Sequence, residues 1–475
     1  MKRKTLILIA VLAVFIFAFA ACNTESYPFE ALKDTEGEVI SWGTTFVEKG
    51  NYFYFVNGIQ VPDEDDDNKW GEDRWGMLVR VKIDELGEEN AVIETVVPKI
   101  IYTQNGGTFG FRIIDGRIYY GTPNSEKDAN GAIQRAKTDI MSVKVDGTDT
   151  KRLHTFDSAE IAFMISVKGS NVYITYVNAD RELRVVDVNK AKDKDTLVSE
   201  HVDEGYIFSR DNQEVFYTVT PIKEKEKEED PDEPYKYNIL YKFVAGSDPV
   251  EIRNGKKNSE TDPADFEKLT IVKAKDGVVW FTLVDGRISQ SAGGLWKAKT
   301  AEDAMKISAT PYTSFYAYTE GGKDVFITLD PETRNVLKVT FASDGTGKFA
   351  DGIEPITLAK EVSEGATFMY LSKTGKYVYY SLGNEVYRLD LSEIKDNWGL
   401  QNPVLITEGV SNSAGIAPIV LVERTADEIW VIYNTDGIKA TEDYTKEYFY
   451  KSTYDNDDKS ITTVVISRLF EEEDN

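Results

Sequence analysis

One pattern constrains this chain more than any other: a turn residue, then a β-branched or aromatic residue followed by a large aromatic, recurring eight times. The pairs are Phe53-Tyr54, Ile118-Tyr119, Val172-Tyr173, Val215-Phe216, Val279-Trp280, Val325-Phe326, Val378-Tyr379 and Ile429-Trp430. Successive anchoring aromatics lie 65, 54, 43, 64, 46, 53 and 51 residues apart. Kelch and WD40 units repeat at roughly 40–50 residues, so the longer intervals require inserted loops. Each pair sits in a short alternating run bounded by Gly, Asn or Asp, which reads as a strand rather than a helix.

Three further strands complete each unit. A short apolar run such as AFMISVK, LTIVKAK or PIVLVER precedes most pairs. After the pair comes a strand with two apolar residues and then a cation, as in Leu78-Val79-Arg80, Leu240-Tyr241-Lys242, Val386-Tyr387-Arg388 and Phe449-Tyr450-Lys451. A last strand follows, for example AVIETVV, TKRLHTF or ITTVVIS. One four-stranded sheet cannot bury both its faces, but sheets packed face to face around an axis bury all of them. The expected fold is therefore all-β: a β-propeller of eight four-stranded antiparallel blades over residues 40–470, followed by an acidic tail, 471–475. Seven blades is the alternative if the first or last unit is not a true blade.

With strands A to D running from axis to rim, antiparallel order puts the B–C and D–A connections on one face and the A–B and C–D turns on the other. Four long insertions, 57–76, 122–139, 220–238 and 434–447, all fall between B and C. Loops lengthened on one face of a repeat array are commonly its binding face. The first insertion combines carboxylates, Asp65 and Asp67 among them, with Trp70 and Trp75. These four residues are the ligand-binding candidates, because a loop tryptophan either packs or binds. The competing reading folds both rings back onto blade 1 as a cap. Residues 63–67 have oxygen ligands for Ca²⁺ but lack the spacing of an EF-hand loop. They are read as solvated acid, and no cofactor or metal is expected. The charged 223–234 insertion reads as a tolerated surface segment.

At the N-terminus, Lys2-Arg3-Lys4 precedes an uncharged run, Thr5 to Ala21, that ends in small residues. A basic start, an apolar stretch and small residues mark a secretory signal. Phe19-Ala20-Ala21-Cys22 resembles the lipobox of bacterial lipoproteins, although Leu is usual in that family where Phe19 stands. That resemblance implies cleavage after 1–21, acylation of Cys22 and a short linker, 22–39. It implies an extracytoplasmic protein held to a bacterial cell membrane or outer membrane by its lipid. The alternative is an uncleaved N-terminal membrane helix. Cys22 is the only cysteine, so no internal disulfide can form and the core alone must hold the body.

With 55 Lys+Arg against 81 Asp+Glu the net charge is −26, which repels phosphate backbones and argues against nucleic acid. Only His154 and His201 are available as histidines, and both read as structural residues near outer strands. There is no G-x-S-x-G, H-E-x-x-H, C-x-x-C or phosphate-loop motif, so no catalytic residues are assigned. Two carboxylates across a cleft would suffice for glycoside hydrolysis, but sequence alone selects no pair.

VYYSLGNEVYRLDL (378–391), and IYYG with IMSVKVDG (118–121, 140–147), resemble Tyr-rich exported bacterial propeller lipoproteins. They are also similar to the YWTD blades of low-density-lipoprotein receptors. The resemblance implies fold more than function. The leading expectation is a lipid-anchored propeller that binds a protein or glycan through one face without catalysis. A carbohydrate-active enzyme and an envelope-assembly scaffold are the alternatives. The Ala-x-Asp-x-x-x-Gly-x-x-x-Trp pattern of propellers in outer-membrane assembly is not evident here.

Overall fold

All eight aromatic pairs lie on the second strand of a four-stranded antiparallel blade, and eight such blades form the molecule. The computed structural model describes residues 31–468 apart from 34–35, 43, 61–74, 103–109, 127–128, 130–136, 159–160, 191–194, 223–234, 256–265, 287–292, 331, 351–354, 360–366, 392–402, 409, 411–418, 426–427, 435–445, 448 and 456–458. Blade 1 consists of Phe46–Lys49, Tyr52–Val56, Leu78–Lys82 and Glu94–Val97. Blade 2 consists of Phe111–Ile114, Arg117–Pro123, Thr138–Lys144 and Lys151–Phe156, and blade 3 of Phe163–Lys168, Asn171–Val177, Leu183–Asp187 and Asp195–Ser199. Blades 4 to 8 begin at Ile207, Glu267, Phe315, Thr367 and Val420, and the last strand is Ile461–Val465.

The aromatic pair has a simple physical cause. Consecutive strand residues point to opposite faces of the sheet, so two adjacent large side chains give each blade one anchor for each neighbour. Phe53 packs back against blade 8 and Tyr54 forward against blade 2. Val215 and Phe216 divide between blades 3 and 5, and Val378 and Tyr379 between blades 6 and 8. Blade 6 departs from the expected register. There Phe326 packs back and Ile327 forward, so the working pair is Phe326-Ile327 rather than Val325-Phe326. Among the described residues, buried apolar side chains form eight clusters, one at each junction, so packing runs all the way round the ring.

The cation that follows the apolar pair on the third strand is an inter-blade strut. Arg80, Lys242, Lys297 and Arg388 pair across the sheet with Tyr54, Phe216, Trp280 and Tyr379, so each shares the forward-pointing face. Arg388 lies 4.3 Å over the Tyr377 ring and 5.0 Å over Tyr454 of the next blade. Lys451 lies 4.4 Å over Trp430. The aliphatic stems cover apolar surface while the charge faces a π-system. Each outer strand of blades 1–7 also carries a bulge that shifts its register by one residue.

Among the described residues no strand is exchanged to close the ring: all four strands of blade 8 come from its own stretch of chain. The blade 8–blade 1 seam is held instead by Phe46 packed edge-on to Phe449, with centroids 4.9 Å apart. The Asn57 side-chain amide bridges the Arg468 backbone, donating to its carbonyl at 3.2 Å and accepting from its N–H at 2.6 Å. Arg424 pairs with Glu48 at 2.9 Å, and Ile59–Gln60 forms a two-stranded ladder with Lys446–Glu447.

A fifth strand joins blade 1. Val39–Ser41 pairs antiparallel with the inner strand Phe46–Lys49 and so lies on its axial side. The chain reaches it along the face of the A–B and C–D turns, where Leu32 N donates to Asp146 O and Gly50 N to Glu38 O. Where blade 1 approaches blade 2, Gly110 (φ 113°) is obligatory, because a Cβ there would sit 2.0 Å from Thr44 O. The strand ends that flank the four expected insertions lie on the B–C face, while most of the inserted residues are outside the described residues. Thr340 and Ile356 of blade 6, and Asp390 and Val404 of blade 7, flank long C–D intervals from strand ends on the opposite face, so long connections are not confined to one face.

Candidate functional site

At the B–C end of blades 2 and 3, the outer strand of blade 2, the second strand of blade 3 and the residues that follow each of them line a cavity of about 810 Å³. A smaller cavity of about 360 Å³ adjoins it along the rim, walled by Glu126 and Lys137 from the two ends of the blade 2 insertion. His154 lines both. The blade 2 bulge falls between Arg152 and His154 and sets the direction of the imidazole. An aromatic file runs inward: His154 meets Phe156 edge-on at 4.6 Å, and Phe156 meets Tyr176 at 4.6 Å. Tyr206, from the link into blade 4, closes the far side.

The polar lining is ordered by one carboxylate. Asp195 Oδ2 accepts from Tyr176 Oη at 2.6 Å and from Arg184 Nε at 2.9 Å. Arg184 Nη1 donates to Glu182 Oε2 at 2.7 Å, and Asn178 Nδ2 donates to the same oxygen at 2.7 Å. Burial and the hydrogen bond to Asp195 push the Tyr176 phenol far up, so it stays protonated as a donor. The other carboxylate oxygen, Asp195 Oδ1, is buried and has no hydrogen-bond partner among the described residues, which do not include 191–194 directly before it. At the insertion's base, Asp139 is 1% exposed and accepts from Asn124 at 3.0 Å and Thr155 at 2.6 Å, bracing that wall. Two or three aromatic faces beside carboxylates suit hydroxyl-rich or cationic ligands.

Burial holds His154 below the usual imidazole range, partly offset by Asp195, Asp157 and Asp139. A depressed folded-state value means the unfolded chain takes up a proton first as pH falls. His154 therefore contributes stability above the unfolded value of about 6.5, and this is lost as pH drops toward the folded value. His154→Asn is expected to flatten the dependence of the urea midpoint on pH between about 7 and 5. An unchanged slope would remove His154 from that account.

Cys22, Asp65, Asp67 and Trp70 lie outside the described residues. Trp75, at the end of the blade 1 insertion, is 7% exposed and contributes packing rather than a free ring face. His201 is exposed, in a left-handed turn (φ 57°), 4.0 Å from Glu200. Among the described residues no three His, Cys, Asp or Glu side chains are grouped to hold a metal ion, and no helix is long and apolar enough to cross a membrane. Of the ligand-binding candidates read from sequence only Trp75 is described, and it does not line the groove. The groove's own residues come from segments up to about fifty positions apart, and only the placement of blade 3 against blade 2 unites them.

No protein-family model matches the chain, and no curated protein matches it. Solved structures do. A dihydro-heme d1 dehydrogenase, NirN, in complex with DHE is similar over 87% of this chain and 79% of its own, with 10% identity and a TM-score of 0.43. A eukaryotic initiation factor is similar over 94% and 92%, with 10% identity and a TM-score of 0.41. The propeller domain of the Trilobed protease from Pyrococcus furiosus, described as having an open velcro topology, is similar over 76% and 100%, with 12% identity and a TM-score of 0.37. At these identities the likeness concerns fold alone.

Proposed function

We propose that this chain is an extracytoplasmic propeller, lipid-anchored at Cys22, that holds a glycan or protein ligand in the blade 2–blade 3 groove without transforming it. The observation that carries the reading is the cavity of about 810 Å³, with Tyr176, Tyr206 and Phe156 beside Asp157 and Asp195. Binding is favoured over hydrolysis because Asp195 Oδ2 is already committed to a phenol and a guanidinium. The lipobox-like Phe19-Ala20-Ala21-Cys22 supports the anchor. The chain leading into Val39 runs along the A–B and C–D face. An anchor ahead of it turns that face toward the membrane and the groove away from it.

The test is a glycan array, together with pull-down of envelope proteins, using the acylated protein and a Tyr206→Ala, Asp157→Ala variant. Both side chains line the groove, and Asp157 is largely exposed. Captured ligand is expected to fall at least tenfold while the far-ultraviolet circular dichroism spectrum and a cooperative melting transition are retained. Undiminished capture would place the ligand elsewhere. Release of reducing ends from a bound glycan would favour the carbohydrate-active alternative.

A further inference from the structure

The inner strands of blades 5 to 8 carry a run of polar side chains around the axis. At its blade 8 end every acid is compensated. Glu423 accepts from Tyr370 Oη and from Lys373 N, each at 2.8 Å, and Glu48 is paired with Arg424. At the blade 5 end the balance is reversed. Lys273 and Lys275 stand two residues apart on the inner strand Glu267–Lys275, hence on the same face, and both converge on Tyr316 of blade 6. Their ammonium groups lie 5.4 and 5.1 Å from its ring centroid.

Neither lysine has a carboxylate partner among the described residues. Lys273 Nζ makes one long contact, 3.5 Å to Phe315 O, and Lys275 Nζ makes one of 3.4 Å to Tyr316 Oη. An ammonium has three donors, so most of these are unmet. Burial and the neighbouring Lys275 charge push Lys273 down to about 8, which is the response of a cation lacking a counter-charge. The strand also departs from regular pairing to place it: a bulge between Ile271 and Lys273 brings Lys273 opposite Trp280. Bulges concentrate where a side chain must be re-aimed.

We propose that Lys273, Lys275 and Tyr316 form a binding site for a small oxyanion, a carboxylate or phosphate group, on the axial side of blades 5 and 6. An anion between the two ammonium groups removes their mutual repulsion, satisfies their donors and accepts from the Tyr316 hydroxyl. The overall charge of −26 disfavours loose anion accumulation, so binding here is local. The site shares no residue with the blade 2–blade 3 groove and stands whether or not that groove binds a ligand.

Isothermal titration of the full chain with inorganic phosphate and, separately, with citrate tests this and tells the two chemistries apart. Saturable binding is expected for at least one. Lys273→Gln and Lys275→Gln should each weaken it at least tenfold, Lys273→Arg should largely retain it, and Lys151→Gln on the outer strand of blade 2 should leave it unchanged. A folding-independent readout uses the wild type: the titration of ¹³C-methylated Lys273, followed by NMR, should move upward by a unit or more at saturating anion. Absence of saturable binding by both probes, equal binding by both glutamine variants, or an unmoved Lys273 titration would each overturn the assignment.

Discussion

Phe449→Ala is expected to destabilise the protein by about 4 kcal/mol, the cost of emptying a fully buried aromatic site. Its larger effect should be on how the molecule opens. Phe449 stacks edge-on against Phe46 across the only junction where the first and last blades meet, and no exchanged strand spans it among the described residues. Around it lie the apolar cluster shared by blades 1 and 8, the Asn57–Arg468 bridge, the Arg424–Glu48 pair, the Lys451 bond to the Leu86 carbonyl and a short ladder at Ile59–Gln60. Hydrogen exchange under native conditions should therefore show blades 1 and 8 losing protection ahead of blades 3 to 6. A matched substitution at an internal junction, Phe216→Ala, should give a similar loss of stability without that order. If both variants lose protection uniformly, the seam is no weaker than the other junctions.

Arg80→Ala should be nearly as damaging. The Arg80 side chain is completely buried and ties three elements together. It donates to Glu94 at 2.8 Å, to the Lys33 carbonyl at 2.9 Å and to Tyr54 Oη at 3.2 Å, while lying 4.4 Å over the Tyr52 ring. Removing it strips the Lys33 carbonyl and Tyr54 of a donor and leaves a void beside Tyr52. Glu94 is 30% exposed and can rehydrate, so the expected loss is about 3 kcal/mol, at the low end for a broken buried pair. Arg80→Met keeps the stem over Tyr52 and should recover part of it. Urea denaturation of the three proteins measures both effects, and a loss below about 1 kcal/mol for Arg80→Ala would reduce the contact to an ordinary surface pair.

The blades were legible because their physics is local. Each second strand needs one large side chain per face, and adjacent aromatics announce that need in the chain itself. The same logic explains the slip in blade 6. Val325, Phe326 and Ile327 are three consecutive apolar residues, and a period of two fits them in either register, so only the neighbouring blades decide. The strand Val39–Ser41 gave no signal, being three residues long and stabilised by an edge it cannot reveal. The groove was illegible for a related reason. His154, Tyr176, Asp195 and Tyr206 belong to different strands and links, and no spacing between them has meaning until blade 3 is set against blade 2. Lys273 was hidden within an apolar-looking inner strand, where a bulge, rather than any motif, gives it its direction. Trp75 drew attention as a loop aromatic, and its burial shows that proximity to a loop does not imply exposure.

The lead-in strand also has a mechanical meaning. Val39, Ile40 and Ser41 pair with Lys49, Glu48 and Val47 in antiparallel register, and the chain ahead of them leaves by the A–B and C–D face. A pull on that chain, directed away from the face, runs along the strand axis. It loads the paired backbone bonds together in shear instead of peeling them one at a time from an end. Tension applied to the chain ahead of Val39 is thus borne first by a clip inside the ring, beside the Arg80 strut that grips Lys33, before it can reach the blade 8–blade 1 seam.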